Sequence, residues 1–311
     1  MRPSIMTAHS RILTTGMLLA LSIGLAPAQD LSPRAYVITP TGSHAVIFST
    51  AYSTGSVLVD PTVPLEDAKG SFQLPVLGYY QSLDFLGRSA NFTVLMPYLH
   101  GNFEGTVAGS LLSAYRSGLA DARVRLSVNL YGGKAMGVRE YITWKEKRLI
   151  GASLTMTIPV GQYDRARLIN PGTNRWGLKP EVGMTRRWNH WVGDLYGGAW
   201  FFTGNDQFYP GHSVRTQKPV GSVEGHWGYY FTPRLWLSFD MNFWAGSRST
   251  VDGVEKNDQQ KNSRFGGTAA VPLSRRHSVK FSYSQGAYVT IGGAYKTVTA
   301  AWQYSWINMP K

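Results

Sequence analysis

The feature that most constrains the fold is a repeated alternation of apolar and polar residues. In the stretch RLWLSFDMNFW, one face carries Leu235, Leu237, Phe239, Met241 and Phe243. The other face carries Arg234, Ser238, Asp240 and Asn242. The segments DARVRLSVNLY and IGASLTMTI divide in the same way. Because successive side chains of a β-strand point to opposite faces, this period of two predicts strands with one apolar and one polar face.

The same pattern, in fainter form, recurs along the chain. The predicted strands lie near 44–55, 71–83, 89–101, 122–132, 149–159, 178–188, 191–204, 217–231, 234–246, 262–272, 276–285 and 293–306. Gly-rich or Pro-containing turns and longer polar stretches, such as 247–262, alternate roughly between them. Short and long connections in alternation are typical of an outer-membrane barrel. We therefore predict an all-β fold, an antiparallel up-and-down transmembrane β-barrel of about twelve strands.

Alternation alone also fits a soluble β-sandwich or a lipocalin-like barrel with apolar residues inside. Three features favour the membrane form. The apolar faces are rich in Phe, Trp, Tyr and Met, many strands are about ten residues long, and aromatic residues collect at strand ends. Those aromatic residues are Trp188, Trp191, Phe201, Phe202, Tyr229, Tyr230 and Phe231.

The first 28 residues have the pattern of a secretory signal peptide. Arg2 and Arg11 precede an apolar core from Ile12 to Leu25, and Ala26-Pro27-Ala28 supplies a small-x-small cleavage site. A short membrane anchor is the alternative, although the core is shorter than a spanning helix. We predict a cleaved signal at 1–28, a barrel domain at 29–311 and location in the bacterial outer membrane. The chain has no Cys, so an exported barrel must gain stability without disulfides.

The formal net charge is +13, most of which remains after residues 1–28 are removed. Such a surplus attracts phosphates, either of nucleic acid or of an anionic membrane surface. Export favours the membrane, and the cationic residues are dispersed through the strands. We expect outer-membrane lipid and lipopolysaccharide as partners, and no nucleic acid.

By parity, the polar faces should line the lumen. The predicted pore-lining residues are Arg123, Arg125, Lys179, Glu181, Glu224, His226, Asp240, Arg264 and Lys280. Opposite charges on neighbouring strands can pair and fill a narrow interior, which is the favoured interpretation. The alternative is a constriction whose cationic surplus filters solutes.

The segment 169–183 (INPGTNRWGLKPEVG) contains the densest local feature. Asn170 belongs to a turn, and Asn174, Arg175 and Trp176 follow just before a predicted strand. An Arg beside a Trp can stack on an aromatic solute and donate hydrogen bonds to an anionic one. These four residues are predicted to contact a solute at the outer mouth, unless the loop only packs against the barrel rim.

Catalytic patterns are absent from the sequence. It contains no G-x-S-x-G, H-E-x-x-H or P-loop motif, and its seven His are scattered. A barrel lipid hydrolase would need adjacent Ser and His residues on the outer wall, and nothing in the sequence indicates them. We expect no enzymatic activity, no cofactor and no metal site.

Three segments resemble a known family. They are SGLADARVRLSVNLYG (117–132), the run from Ile158 to Trp188, and the closing HSVKFSYSQGAYVTIGGAYKTVTAAWQYSW (277–306). Together they are similar to the outer-membrane transporters associated with the meta-pathway of phenol degradation. The chain departs mildly at Leu119-Ala120-Asp121, where a Gly-Asp pair is expected. The resemblance implies a Gram-negative outer-membrane barrel that takes up aromatic or other small apolar compounds.

The chain closes with aromatic residues on alternate positions, Trp302, Tyr304 and Trp306. The barrel resemblance implies a closing strand that the barrel assembly machinery reads as a signal, although Ile307 to Lys311 follow it. The leading hypothesis is passive uptake of small, aromatic or apolar solutes. A structural or lipopolysaccharide-binding barrel without transport is the main alternative, and a lipid hydrolase ranks lower.

Overall fold

The computed structural model describes residues 31–58, 66–107, 110–209 and 211–308. The predicted signal peptide at 1–28 lies outside the described residues. Alternation produces long strands throughout the chain, and the sheet that forms the main wall contains thirteen of them. These are β1 (Ser43–Leu58), β2 (Glu66–Phe85), β3 (Arg88–Val107), β4 (Ser110–Leu119), β5 (Ala122–Tyr131), β6 (Arg148–Ile158), β7 (Gly177–Trp188), β8 (Trp191–Phe202), β11 (Val220–Thr232), β12 (Leu235–Gly246), β15 (Gln260–Pro272), β16 (His277–Tyr288) and β17 (Gly292–Ile307).

The sheet closes on itself. Each strand pairs antiparallel with its neighbours, β17 returns to β1 with Ser43 opposite Ile307, and β3 joins β2 to β5. β4 and β5 both pair with β3. β5 pairs with the first half of β3 and β4 with the second half, so β4 and β5 together occupy one strand position in the wall. The wall therefore has twelve positions, and the prediction of a twelve-stranded antiparallel barrel is confirmed. Closure leaves no unpaired sheet edge around most of the wall.

The two ends of the barrel differ. Both ends of the described chain lie at the end with tight turns, including Leu86-Gly87, Asn189-His190 and Pro233-Arg234. Longer connections lie at the opposite end, between β6 and β7 and between β8 and β11. Since outer-membrane barrels have short periplasmic turns and longer outer loops, we call these the periplasmic and the outer end.

The outer surface of the wall is apolar. On β12, Leu237, Phe239, Met241 and Phe243 are each roughly half exposed, whereas the residues between them are buried in the interior. In water this continuous apolar belt would be costly at about 25 cal/mol per Å², so the surface fits contact with lipid. Among the described residues, no helix has the length and apolarity that a membrane span requires.

Sequence analysis missed several elements. β4 was not predicted, because Leu111 and Leu112 are adjacent and break the alternation. A helix, α1 (Val138–Thr143), lies in the long periplasmic connection between β5 and β6. Four short strands form a separate sheet at the outer end, and they were read as loop or as part of a longer strand. They are β9 (Asn205–Phe208), β10 (Ser213–Gln217), β13 (Ser249–Val251) and β14 (Val254–Glu255).

The closing strand is placed as predicted. β17 pairs with β1, and His44 lies opposite Trp306 with the two rings stacked at 5.4 Å between centroids. Tyr304 and Trp306 stack at 5.7 Å, and Trp302 stacks on His277 at 5.5 Å. These residues form an outward-facing aromatic patch at the periplasmic end. Their role as an assembly signal stays a prediction.

Candidate functional site

The most informative feature of the lumen is the segment 31–42 that precedes β1, which we call the inner segment. Its side chains bond to inward-facing residues of several strands, so the segment lies inside the barrel. Leu31, Arg34, Tyr36 and Ile38 are all buried there. Sequence analysis assigned no structure to these residues, because nothing in their pattern distinguishes a lumen segment from a surface loop.

Tyr36 anchors the inner segment in a slot made by two glycines. Gly151 on β6 and Gly183 on β7 lie directly opposite each other in the register. A Cβ at either position would lie 2.2 Å from a carbon of the Tyr36 ring, so only glycine leaves room for that ring. The Tyr36 hydroxyl lies 3.2 Å from Ser153 Oγ and donates to Glu181 Oε1 at 3.1 Å. The wall is therefore shaped to hold this side chain.

Arg34 supplies a second anchor, through charge. Its Nη2 lies 2.6 Å from Glu146 Oε2, and its Nη1 lies 3.6 Å from Asp194 Oδ1. Its backbone N–H donates to Asp194 Oδ2 at 3.1 Å, and the next N–H, of Ala35, donates to Tyr196 Oη at 3.1 Å. These groups are buried, so removing one charge would leave the other uncompensated at a cost of about 3–5 kcal/mol.

The C-terminal half of the inner segment is bound to other parts of the barrel. Thr39 Oγ1 lies 2.7 Å from the hydroxyl of Tyr80 on β2, and Ser82 Oγ donates to the Thr39 carbonyl at 3.2 Å. Ile38 packs with Met136 and Leu149 near the periplasmic end. The segment thus contacts both the β6–β8 side and the β2 side of the lumen. It crosses the interior between these two sides.

A chain of buried charges runs across neighbouring strands on one side of the lumen, and we call it the polar wall. Lys179 Nζ lies 2.7 Å from Glu181 Oε2 and 3.0 Å from Glu224 Oε1. His226 Nε2 lies 3.7 Å from Glu224 Oε2, and its Nδ1 lies 2.9 Å from Asp240 Oδ1. The low dielectric of the interior strengthens each link and makes each unpaired member costly. The polar wall therefore fixes the side chains of β7, β11 and β12 relative to one another.

The remaining predicted pore-lining residues also face inward. Arg125 donates to the Ala35 carbonyl at 3.1 Å and lies 3.5 Å from Glu181 Oε1, so it joins the polar wall to the inner segment. Arg264 donates to Ser284 Oγ at 2.9 Å, and Lys280 is buried on the inner face of β16. Arg123 lines a separate cavity. Whether any of the nine lines a solute pathway stays a prediction.

The opposite side of the lumen is apolar. Inward residues of β1, β2 and β3 form one buried cluster, which we call the apolar wall. Its members are Ala45, Ile47, Ala51, Phe72, Leu74, Val76, Tyr80, Leu95 and Leu99. Phe103 and Tyr295 pack against Phe72, with ring centroids at 5.9 and 5.0 Å. The lumen therefore has two chemically different sides.

A cavity of about 80 Å³ lies between the apolar wall and the loop that precedes β7, near the outer end. Leu74, Val76 and Leu95 contribute the apolar wall, while Arg123 and Arg175 contribute positive charge and Asp121 contributes a carboxylate. Such a volume holds a few waters but is smaller than the roughly 150 Å³ cavities that bind benzene. The cavity must widen before it can accept an aromatic ring.

Of the four predicted outer-mouth residues, only Arg175 lines this cavity. Asn170 donates to the backbone carbonyls of Asp164 and Arg167 and so closes its own loop. Asn174 Nδ2 donates to Asn205 Oδ1 at 2.9 Å, and the side chain of Trp176 is exposed. The structure therefore does not bring the four residues together around a common site.

The charge of Arg175 is only partly compensated, by the Asp121 carboxylate that lines the same cavity. Its guanidinium lies over the Phe202 ring at 4.3 Å, and its buried Nη1 has no hydrogen-bond partner among the residues that the structure describes. Burial, together with the nearby charge of Arg215, lowers the pKa of Arg175 to about 9. The guanidinium is still charged at neutral pH, so a bound anion or hydrogen-bond acceptor would stabilise it.

Within the described part of the chain, no three His, Asp or Glu side chains cluster as a metal site would require. The residues that sequence reasoning missed are those of the inner segment and its partners Glu146, Asp194 and Tyr196. Asp194 and Tyr196 do share the inward face of β8, and a parity argument applied to that strand would have found them.

Comparison with solved structures supports the architecture. The COG4313 outer membrane channel from Pseudomonas putida F1 superposes with a TM-score of 0.76 at 18% identity, covering 89% of this chain and 100% of that chain. The transport unit of the autotransporter AIDA-I from Escherichia coli gives a TM-score of 0.50 at 9% identity, covering 97% of each chain. At these identities the likeness shows the fold, that of an outer-membrane barrel. No curated protein matches the sequence.

A family profile agrees with the fold. The profile described as "Putative MetA-pathway of phenol degradation" matches residues 35–300, which includes most of the inner segment and nearly the whole wall. The match also agrees with the resemblance seen in the sequence. The chain therefore belongs to this family of outer-membrane β-barrel proteins.

Proposed function

We propose that the protein is a passive outer-membrane channel for small solutes that are mostly apolar and carry one polar or anionic end. The observation that supports this proposal is the two-sided lumen, with an apolar wall on β1–β3 facing a charged polar wall. A channel for hydrophilic solutes gains nothing from an apolar wall, because water along it is unfavourable. An amphipathic solute can match both sides.

We infer that this conformation is the closed state of the channel. The inner segment occupies the lumen, and the cavity near the outer end has a volume of about 80 Å³. Passage of an aromatic solute therefore requires displacement of the inner segment. Residues 31–42 precede β1 and belong to no strand of the wall, so they can move without breaking the strand pairing of the barrel sheet.

Arg175 is the group best placed to recognise the polar end of the solute. Its guanidinium lines the cavity beside Leu74 and Val76, and a carboxylate or phenolate there would compensate its buried charge. The apolar part of the solute would then lie against the apolar wall. This arrangement favours aromatic carboxylates and phenols over sugars of similar size.

Uptake into proteoliposomes tests the proposal. We expect flux of benzoate and of benzyl alcohol to exceed that of a small sugar. Arg175→Gln should lower benzoate flux while leaving benzyl alcohol flux nearly unchanged, because only the anion uses the charge. Arg139→Gln, at an exposed position on α1, is the matched control. Absence of flux for all three solutes, in protein shown to be folded, would contradict the proposal.

A second candidate is a structural barrel without transport, favoured by the inner segment across the lumen and by the paired charges of the polar wall. The two candidates differ in one measurement. A variant lacking residues 31–41 should conduct if the inner segment closes a channel, and should lose stability without conducting if the lumen is only a packed core.

We also infer that residues 1–28 direct export and are removed from the mature protein. N-terminal sequencing of protein purified from outer membranes tests this inference, and Met1 at the N-terminus would contradict it. The absence of enzymatic activity stays a prediction.

A further inference from the structure

Two arginines face each other on the lipid-facing surface of the barrel. Arg148 on β6 lies directly opposite Arg186 on β7, and the neighbouring inward residues Leu149 and Thr185 are buried. Both arginines are exposed. Directly opposed side chains of an antiparallel pair have Cβ atoms about 5 Å apart, and like charges in this position are destabilising. A pair of this kind calls for a counter-anion.

The described part of the chain supplies no anion to this pair. Neither guanidinium forms an ion pair with a described residue, and that of Arg186 lies over the Trp188 ring at 5.0 Å. Glu146 lies in the same groove, but its carboxylate is bound to Arg34 at 2.6 Å and lies 3.6 Å from Arg187. Among the described residues no carboxylate pairs with these two arginines, so an anion from outside the chain can bind between them.

The surroundings increase the positive potential. An open groove of about 870 Å³ at the periplasmic rim is lined by both arginines and by Lys145 and Lys147, and on its lumen side by Glu146 and Arg187. Its aromatic residues include Tyr141, Trp144 and Trp188. Cationic and aromatic side chains in one groove fit a polar headgroup that carries negative charge.

The depth of the pair identifies the leaflet. Arg186 pairs with Gly193, which in turn lies opposite Trp227, and Trp188 pairs with Trp191. Trp227 lies within 6 Å of both Trp188 and Trp191, measured between ring centroids. This cluster lies beside the tight turn after β7, at the periplasmic end. Tryptophans at this level mark the interface where headgroups lie.

The wall above the pair can receive an acyl chain. Moving from the periplasmic end toward the centre, the outward residues next to the arginines on β6 and β7 are apolar. They are Ile150, Leu154, Met184 and Val182. A phosphate held between the arginines would therefore place its acyl chains along this surface.

We propose that Arg148 and Arg186 form a binding site for the phosphate of a net-anionic glycerophospholipid in the periplasmic leaflet of the outer membrane. Each guanidinium donates to phosphate oxygens, and Lys145 and Lys147 add positive potential that disfavours a headgroup carrying its own cation, such as choline. This inference does not depend on transport, because the site lies on the outside of the barrel.

Native mass spectrometry of the folded barrel in detergent, titrated with phosphatidylglycerol or phosphatidylcholine, tests the site. The variant Arg148→Gln/Arg186→Gln should weaken phosphatidylglycerol binding by about thirtyfold, which corresponds to about 2 kcal/mol for two cationic contacts. The control Arg139→Gln/Arg276→Gln removes two exposed charges at the same end of the barrel and should change binding by less than about twofold. The electrophoretic shift on heating verifies that each variant is folded. If the double variant does not fold, the single variant Arg186→Gln replaces it in the titration.

Three results would overturn the proposal. The first is equal weakening by the control pair, which would indicate general charge attraction. The second is displacement of the lipid by inorganic phosphate at millimolar concentration, which would indicate an adventitious anion. The third is tighter binding of lipopolysaccharide than of phosphatidylglycerol at the same residues, which would place the site in the wrong leaflet.

Discussion

Replacement of Tyr36 by alanine should open the lumen, because this side chain is the main apolar anchor of the inner segment. Tyr36 is 1% exposed and contacts Gly151, Gly183 and Tyr196. Replacing a buried aromatic residue by alanine costs about 3–5 kcal/mol. Two hydroxyl contacts, with Ser153 and Glu181, contribute to that cost at about 1 kcal/mol each.

The expected effect on the channel follows from population arithmetic. If the loss falls on the closed conformation alone, about 3 kcal/mol raises the ratio of open to closed molecules by roughly a hundredfold. Single-channel recording in planar bilayers should then show larger conductance or more frequent openings. Tyr288→Ala is the control, because Tyr288 is 61% exposed and contacts none of these groups.

A second substitution tests the same slot from the wall. Gly183→Ala would place a Cβ 2.2 Å from the Tyr36 ring. It should therefore displace that ring without any change in the sequence of the inner segment. Gly197→Ala is the control, since a Cβ there meets no atom within 4 Å. If both slot variants fold and conduct like the unmodified protein, the inner segment does not close the channel and the reasoning is wrong.

Two further predictions concern stability and assembly. Glu224→Ala should lower the temperature at which the barrel unfolds, because it removes a buried partner of Lys179 and of His226. The expected loss of stability is about 3–5 kcal/mol. The heat-induced gel shift measures the unfolding temperature. Glu255→Ala is the control, because its ion pair with Lys218 is exposed; a fall as large as that of the first variant would contradict the role of burial. Trp306→Ala should lower the yield of folded barrel in the outer membrane more than deletion of 307–311 does, because Trp306 stacks on His44 at the seam. Equal yields would contradict this prediction.

The wall could be predicted from the sequence because its two faces differ in chemistry. On β12, every inward position was identifiable from the outward Leu237, Phe239 and Met241. The same argument assigned Lys179 and Glu224 to the interior, where the structure places them. The alternation of apolar and polar residues is a local signal, so it can be recognised without knowledge of the tertiary fold.

The inner segment could not be predicted, because its stability comes entirely from distant partners. Tyr36 fits a slot formed by Gly151 and Gly183, which lie on different strands and meet only through the β6–β7 register. Arg34 is bound by Glu146 and Asp194, from a loop and from β8. The residues near Arg34 and Tyr36 in the sequence do not indicate which distant residues will pair with them. β4 was missed for a related reason, since its apolar residues lie on both faces.

The two-sided lumen suggests how solute and inner segment are coupled. When the segment leaves, water reaches the part of the apolar wall around Tyr80, which bonds to Thr39, and each exposed Å² of apolar surface costs about 25 cal/mol. A solute that covers this wall removes that cost, and therefore binds the open conformation better than the closed one. A ligand shifts an equilibrium only through such differential affinity. Sugars and ions do not cover an apolar wall, so they leave the segment in place. The lumen would thus admit apolar solutes by stabilising the conformation that they themselves require, while it stays closed to hydrophilic ones.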